Sequence, residues 1–109
     1  MNRTFKEVPS FTKKWHSVGL TDEDLRKVQE MILQDTKIGV AIKGGSGLRK
    51  LRIPLENIGK RSGGRVIYLD VEVKECVYLL DVYVKNEKTD LNETEKKMLS
   101  KLVNILKEE

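Results

Sequence analysis

The chain has 109 residues, with 21 Lys and Arg against 17 Asp and Glu, and a formal net charge of +4. This length suits one domain, residues 1–109, and not two. No apolar run approaches the roughly 20 residues of a membrane span. The start MNRTFKEVPSF has no apolar signal core, and the lone Cys76 excludes an intramolecular disulfide, so the expected setting is the reducing cytoplasm.

Near the start, Arg3–Phe5 reads as a short edge strand. Phe11, Trp15 and Val18 follow at the spacing of one helical face, and Gly19 is a suitable stop. A second helix is signalled by Thr21 as N-cap, with Asp24 in a variant of the capping box and Leu20 and Leu25 in a hydrophobic staple. Asp22, Glu23 and Asp24 place negative charge where the helix dipole favours it. The apolar stripe Leu25, Val28, Ile32 carries this helix to about Thr36. Gly44, Gly45 and Gly47 mark a turn into the strand Leu48–Ile53, which Pro54 ends or keeps near an edge. After a polar loop, Glu56–Gly64, come the two strongest strands, Arg65–Val73 and Cys76–Lys85, joined as an antiparallel hairpin through Lys74–Glu75. Asn92 and Glu95 cap a last helix whose apolar face is Leu99, Leu102, Val103 and Leu106. The expected class is α+β: a small antiparallel sheet with N-terminal helices and a C-terminal helix packed on it.

The excess charge is local. Between Gly44 and Tyr68 stand Arg49, Lys50, Arg52, Lys60, Arg61 and Arg65 against Glu56, a net +5, and the rest of the chain holds 15 basic and 16 acidic residues. One segment therefore supplies the whole excess, which points to a polyanion site. It is not a nucleotide loop. Gly59–Lys60 is followed by Arg61 where a phosphate-binding loop needs Ser or Thr, Pro54 stands at the first glycine position, and GGSG is not GxGxxG. One His and one Cys, far apart, offer no metal-ligand spacing. No metal and no cofactor are expected.

Strand alternation assigns faces. Lys50 and Arg52 share one face of their strand, opposite Leu51 and Ile53. Tyr78 groups with Leu80, Val82 and Val84 as core. Tyr83 groups with Asp81 and Lys85, and Tyr68 with Asp70 and Glu72, on an open polar face where each ring either stacks on an unpaired base or packs across the strands. Arg65 by strict alternation joins Ile67 and Leu69, unless a bulge at Gly63–Gly64 aims it elsewhere.

GLRKLR, then GKRSGGRVIY, then a hydrophobic strand closing in YVKNE and a helix with an acidic start, together resemble the RelE/HigB-like toxins of bacterial toxin–antitoxin modules. The resemblance extends to the FTKKW helix and the TDEDL helix start, so it covers nearly the whole chain. It implies a small antiparallel sheet with helices packed on one face. It also implies a metal-free, cofactor-free endoribonuclease that cuts mRNA on the 70S ribosome, contacts ribosomal RNA, and is silenced by a cognate antitoxin, with no membrane partner. Carried over residue by residue, Lys50 and Arg52 match the family's basic strand positions, Arg65 the arginine opening the next strand, and Lys85 the basic residue ending the last strand. Arg65 and Arg52 then suit the phosphate, because their forks match it geometrically and stay charged. Some relatives place a tyrosine after the last strand; NEKTDLN contains none and no sheet histidine exists, which leaves Lys85 or Lys50, crowded among cations, as the base. Arg49, Lys60, Arg61, Tyr68 and Tyr83 are the expected RNA contacts. The rival readings are a ParE-like gyrase-poisoning toxin on the same fold and a non-catalytic nucleic-acid-binding module.

Overall fold

The structure is a computed structural model that describes residues 2–88 and 90–108. Its elements are β1 (Thr4–Glu7), α1 (Pro9–Val18), α2 (Asp22–Gln34), β2 (Val40–Ala41), β3 (Arg49–Leu55), β4 (Lys60–Val71), β5 (Cys76–Val84) and α3 (Glu93–Glu108). The strands form one sheet in the order β1-β5-β4-β3-β2. The α+β class is as expected, with one parallel pair. β5, β4, β3 and β2 pair antiparallel, while β1 lies parallel to β5. Antiparallel neighbours can be linked by tight turns, and β1 has no turn to β5; the chain passes from it into α1.

Local signals account for the helices. Pro9 opens α1, and Gly19 closes it at φ 98°. Thr21 and Asp24 complete the capping box of α2: the Thr21 hydroxyl accepts from the Asp24 N–H at 3.1 Å, and the Thr21 N–H donates to the Asp24 carboxylate at 2.9 Å. That backbone N–H, together with the Thr21 hydroxyl and Lys27, holds the Asp24 carboxyl below its ordinary pKa. Phe11 and Trp15 stack at 5.5 Å between ring centroids, and the indole N–H donates to the Thr21 carbonyl at 2.9 Å. One aromatic pair thus ties α1 to the start of α2.

The helices do not share one face of the sheet. α1 and α2 bury Phe11, Trp15, Val28 and Ile32 against Leu51, Ile53, Leu55, Val66, Tyr68, Val77, Leu79, Val82 and Val84. On the opposite face, α3 buries Val103 and Leu106 against Leu48, Ile67, Leu69, Cys76, Tyr78, Leu80 and Tyr83. The central strands are therefore buried on both sides, and β5 has no exposed residue. Their near-continuous apolar runs, RVIYLDV and CVYLLDV, are what two covered faces require.

A bulge corrects the expected grouping in β5. Ile67 pairs with Asp81 but Tyr68 pairs with Leu79, so β5 carries one extra residue at Leu80. Val77 and Leu79 before it, and Val82 and Val84 after it, all face α1 and α2. Tyr78 and Leu80 stay with α3, and Tyr83 joins them. The extra residue inverts the alternation, so Tyr78 does not share a face with Val82 and Val84. At this irregularity Asp81 is buried; it accepts from the Lys14 ammonium at 2.7 Å and from the Val82 N–H at 2.9 Å.

Tyr68 is also relocated. It is fully buried under α2, not on an open face. Its hydroxyl donates to the Thr36 carbonyl at 2.8 Å and accepts from the Gly39 N–H at 3.0 Å, which fixes the passage from α2 into β2. Burial raises its pKa, against the Gly39 hydrogen bond and the Arg49 charge. Its companion Asp70 pairs with Arg3 at 2.7 Å. Tyr68→Phe should cost about 1–3 kcal/mol in urea unfolding, because it strands the Gly39 N–H and the Thr36 carbonyl beside an apolar ring. A midpoint equal to the wild type would show that the hydroxyl contributes nothing.

A candidate phosphate-binding groove

The face of the sheet that carries α3 is covered only in part. Directly paired residues of antiparallel strands project to the same side. Arg52 pairs with Arg65, and Arg65 with Tyr83, so the three form one row across β3, β4 and β5. In the adjacent row Val40 pairs with Lys50 and Lys50 with Ile67. Arg65 therefore keeps its alternation with Ile67 and Leu69 and still stands beside Arg52, because both belong to this one face. α3 covers Ile67 and Leu69 but leaves Arg52 exposed and Arg65 half-exposed.

Glycine shapes this end of the sheet. Gly63 has φ 74°, and a Cβ there would lie 2.7 Å from the Ile53 carbonyl oxygen. The register between β3 and β4 shifts at this point, between Ile53 and Leu55. The Gly63 carbonyl then accepts from the Lys85 N–H at 3.0 Å, which brings the end of β5 to the same corner. Lys50, Arg52, Arg65 and Lys85 consequently line one groove together with Met31, Ile38, Val40 and Leu51. It opens where β2, only two residues long, stops covering the edge of β3.

The cations of the groove are sparsely neutralised. Lys50 meets the Asp90 carboxylate at 3.4 Å. Asp90 also accepts from the Leu91 N–H at 2.8 Å; partial burial pushes its pKa up, but that amide and Lys50 outweigh it and hold the carboxyl below its ordinary value. Arg65 donates to the neighbouring Gly64 carbonyl at 3.0 Å. Among the described residues, Arg52, Arg65 and Lys85 make no ion pair. A concave surface of this kind can hold an anion with several oxygens.

The other expected RNA contacts do not join the groove. The Arg49 guanidinium donates to the carbonyls of Gly39 at 2.7 Å and Lys37 at 3.3 Å, and Arg49 pairs with the α2-facing Tyr68. It clamps the connection between α2 and β2. Lys60 lies 3.7 Å from Glu87 and lines a separate hollow with Lys14, Ser17 and Lys88. Arg61 is exposed near the start of β4. Tyr83 stands next to Arg65 in register but is only 7% exposed, with the Lys88 ammonium 5.2 Å from its ring centroid. Lys88 is held there by Glu95. Burial first, then the charge of Asp90, push the Tyr83 hydroxyl up to about 12, and that hydroxyl has no hydrogen-bond partner among the described residues. Neither Tyr68 nor Tyr83 presents a free ring face to a base.

Sequence reasoning passed over two features. The apolar side of the groove, Met31, Ile38 and Val40, comes from α2 and the segment after it and carries no motif. A further hollow is lined by Lys43, Lys96, Lys97 and Lys101 together with Glu93. The lysines of α3 were visible as the polar side of its amphipathic pattern, but their approach to Lys43 depends on how α3 docks.

The structure defines a three-helix α+β protein with a cationic groove at the uncovered end of its sheet. Residues 2–109 match the family described as the RelE toxin of the RelE/RelB toxin–antitoxin system, and the chain belongs to that RelE toxin family. Among solved structures it is similar to a double arginine-to-alanine mutant of the E. coli toxin RelE in the free state, at 20% identity and TM-score 0.60, over 81% of this chain and 88% of that one. It is also similar to the intact E. coli RelBE toxin–antitoxin complex, at 20% identity and TM-score 0.56, over 75% of this chain and 94% of that one. At this identity the structures speak for the shared fold.

Proposed function

We propose that this chain is a ribosome-dependent mRNA endoribonuclease. The observation that carries the reading is the convergence of Lys50, Arg52, Arg65 and Lys85 on one groove. Metal-free cleavage is an attack by a ribose 2′-oxygen on the adjacent phosphorus. The 2′-OH proton is removed, the new O–P bond gives a 2′,3′-cyclic phosphate, and the bond to the 5′-oxygen breaks as that oxygen gains a proton. The phosphate carries extra negative charge in between. Arg52 and Arg65, paired across β3 and β4, suit that charge: guanidinium forks match phosphate oxygens and are preorganised by the sheet. Lys50 and Lys85 supply the proton-transfer groups, one for the 2′-OH and one for the leaving oxygen.

The family and the likeness to the RelBE complex support a protein partner as well. For this chain that partner is an antitoxin with acidic side chains placed against the groove, which would neutralise the cations and deny them to RNA. Ribosomal RNA is a second polyanion partner.

The purified chain, incubated with mRNA with and without translating ribosomes and followed by mapping of fragment 5′ ends, tests the reading. Cuts that require ribosomes are the expected result, and their absence sinks it. Double-strand DNA breaks in the presence of gyrase would point to a gyrase poison. RNA binding without any cut would point to a binding module.

A further inference from the structure

The groove has two chemically different walls. One is formed by Lys50, Arg52, Arg65 and Lys85, the other by Met31, Ile38 and Val40. Val40 is 70% exposed and Ile38 40% exposed, large aliphatic side chains presented to water at the edge of the sheet. Val40 pairs directly with Lys50, so its side chain stands on the same face of the sheet as that lysine. The position of both aliphatic residues is enforced: Tyr68 and Arg49 bond the backbone of Gly39, which lies between them.

A nucleotide has the same duality, an anionic phosphate joined through ribose to a base with apolar faces. We infer that Ile38 and Val40 form a shelf on which the base beside the bound phosphate packs, making them specificity-determining contacts of the RNA-cleaving site. The inference rests on the nuclease reading and goes further by naming where the base lies. β2 is the outermost strand, so its outer backbone edge has no strand partner and is open to the polar rim of that base. An added peptide strand fits less well, because β2 pairs over only two residues and offers little ladder to extend. The aliphatic shelf replaces the aromatic stacking that the buried Tyr68 and Tyr83 do not offer.

The test is fluorescence anisotropy with a labelled heptaribonucleotide and the same ribose-phosphate chain made abasic. Wild type should bind the base-bearing RNA about tenfold more tightly, the scale of one base packed on a side-chain platform. The double variant Ile38→Ser, Val40→Ser should reduce that preference to about twofold or less, while Val40→Ile keeps it. The salt dependence should be unchanged in all variants, since no phosphate contact is removed. Both positions are exposed, and an unchanged urea midpoint confirms the fold. Equal affinity of wild type for the two RNAs overturns the inference, as does a double variant that keeps the wild-type preference. A double variant that weakens only the antitoxin complex also overturns it, assigning the shelf to protein docking. Base discrimination by a wild type that cuts nothing would sink the nuclease reading and leave the shelf standing as an RNA contact.

Discussion

Arg65→Ala should lower ribosome-dependent cleavage by about 100- to 1,000-fold, the loss typical of removing one preorganised donor to a developing anion. Its stability should hold or rise slightly. Arg65 faces the like-charged Arg52 directly across the strands and has no acidic partner among the described residues, so no carboxylate offsets the repulsion in the free protein. On the proposed function, a bound phosphate would reverse the sign of that local energy. Arg65→Lys should recover only part of the rate, since an ammonium keeps the charge and loses the fork. Cleavage rates and urea midpoints measured together decide the matter. An unchanged rate removes Arg65 from the chemistry, and a parallel loss of rate and stability would make its role structural.

Gly63→Ala should be the most damaging of the glycine-to-alanine changes at positive φ in this protein. The residue sits at φ 74°, where L side chains are strained, and the new Cβ would lie 2.7 Å from the Ile53 carbonyl oxygen. The obstacle is backbone of β3, which cannot rotate away as a side-chain tip does. Gly59 provides the control, with φ 76° and nothing within 4 Å of the place a methyl group would take. Gly59→Ala should cost about 1 kcal/mol from backbone strain alone, and Gly63→Ala about 2–3 kcal/mol or more. The second change should also depress cleavage at temperatures where the protein stays folded. The Gly63 carbonyl receives the Lys85 N–H, and any shift of β4 against β3 moves Arg65 relative to Arg52. Equal midpoints for the two variants would show that the contact with Ile53 relaxes freely.

Much of the fold was legible because its signals are local. Thr21 with Asp24, Asn92 with Glu95 and the glycine at position 19 act through hydrogen bonds and dihedral angles that span a few residues. The two long strands announced themselves by β-branched and aromatic content. Lys50, Arg52, Arg65 and Lys85 line one groove. The wider set of RNA contacts did not. Arg49 reads as one more cation of a basic run, yet its guanidinium is occupied by two backbone carbonyls. Tyr68 reads as exposed beside Asp70, yet α2 lies over it.

The sequence by itself determined the number and order of the main elements and the concentration of charge between Gly44 and Tyr68. Alternation in the sequence placed Lys50 and Arg52 opposite Leu51 and Ile53, but tertiary structure alone decided the faces of β5 and which side of the sheet stays open. Two features made that decision. A single extra residue at Leu80 inverts every side chain after it in β5, and nothing in CVYLLDVYV marks the place. α3 docks on the face opposite α1 and α2 and ends the cover short of Arg52. Charge is a property of residues and can be counted along a chain. A groove is the space left when distant segments have packed, and it exists only once Ile38, Lys50, Arg65 and Lys85 have been brought to one corner.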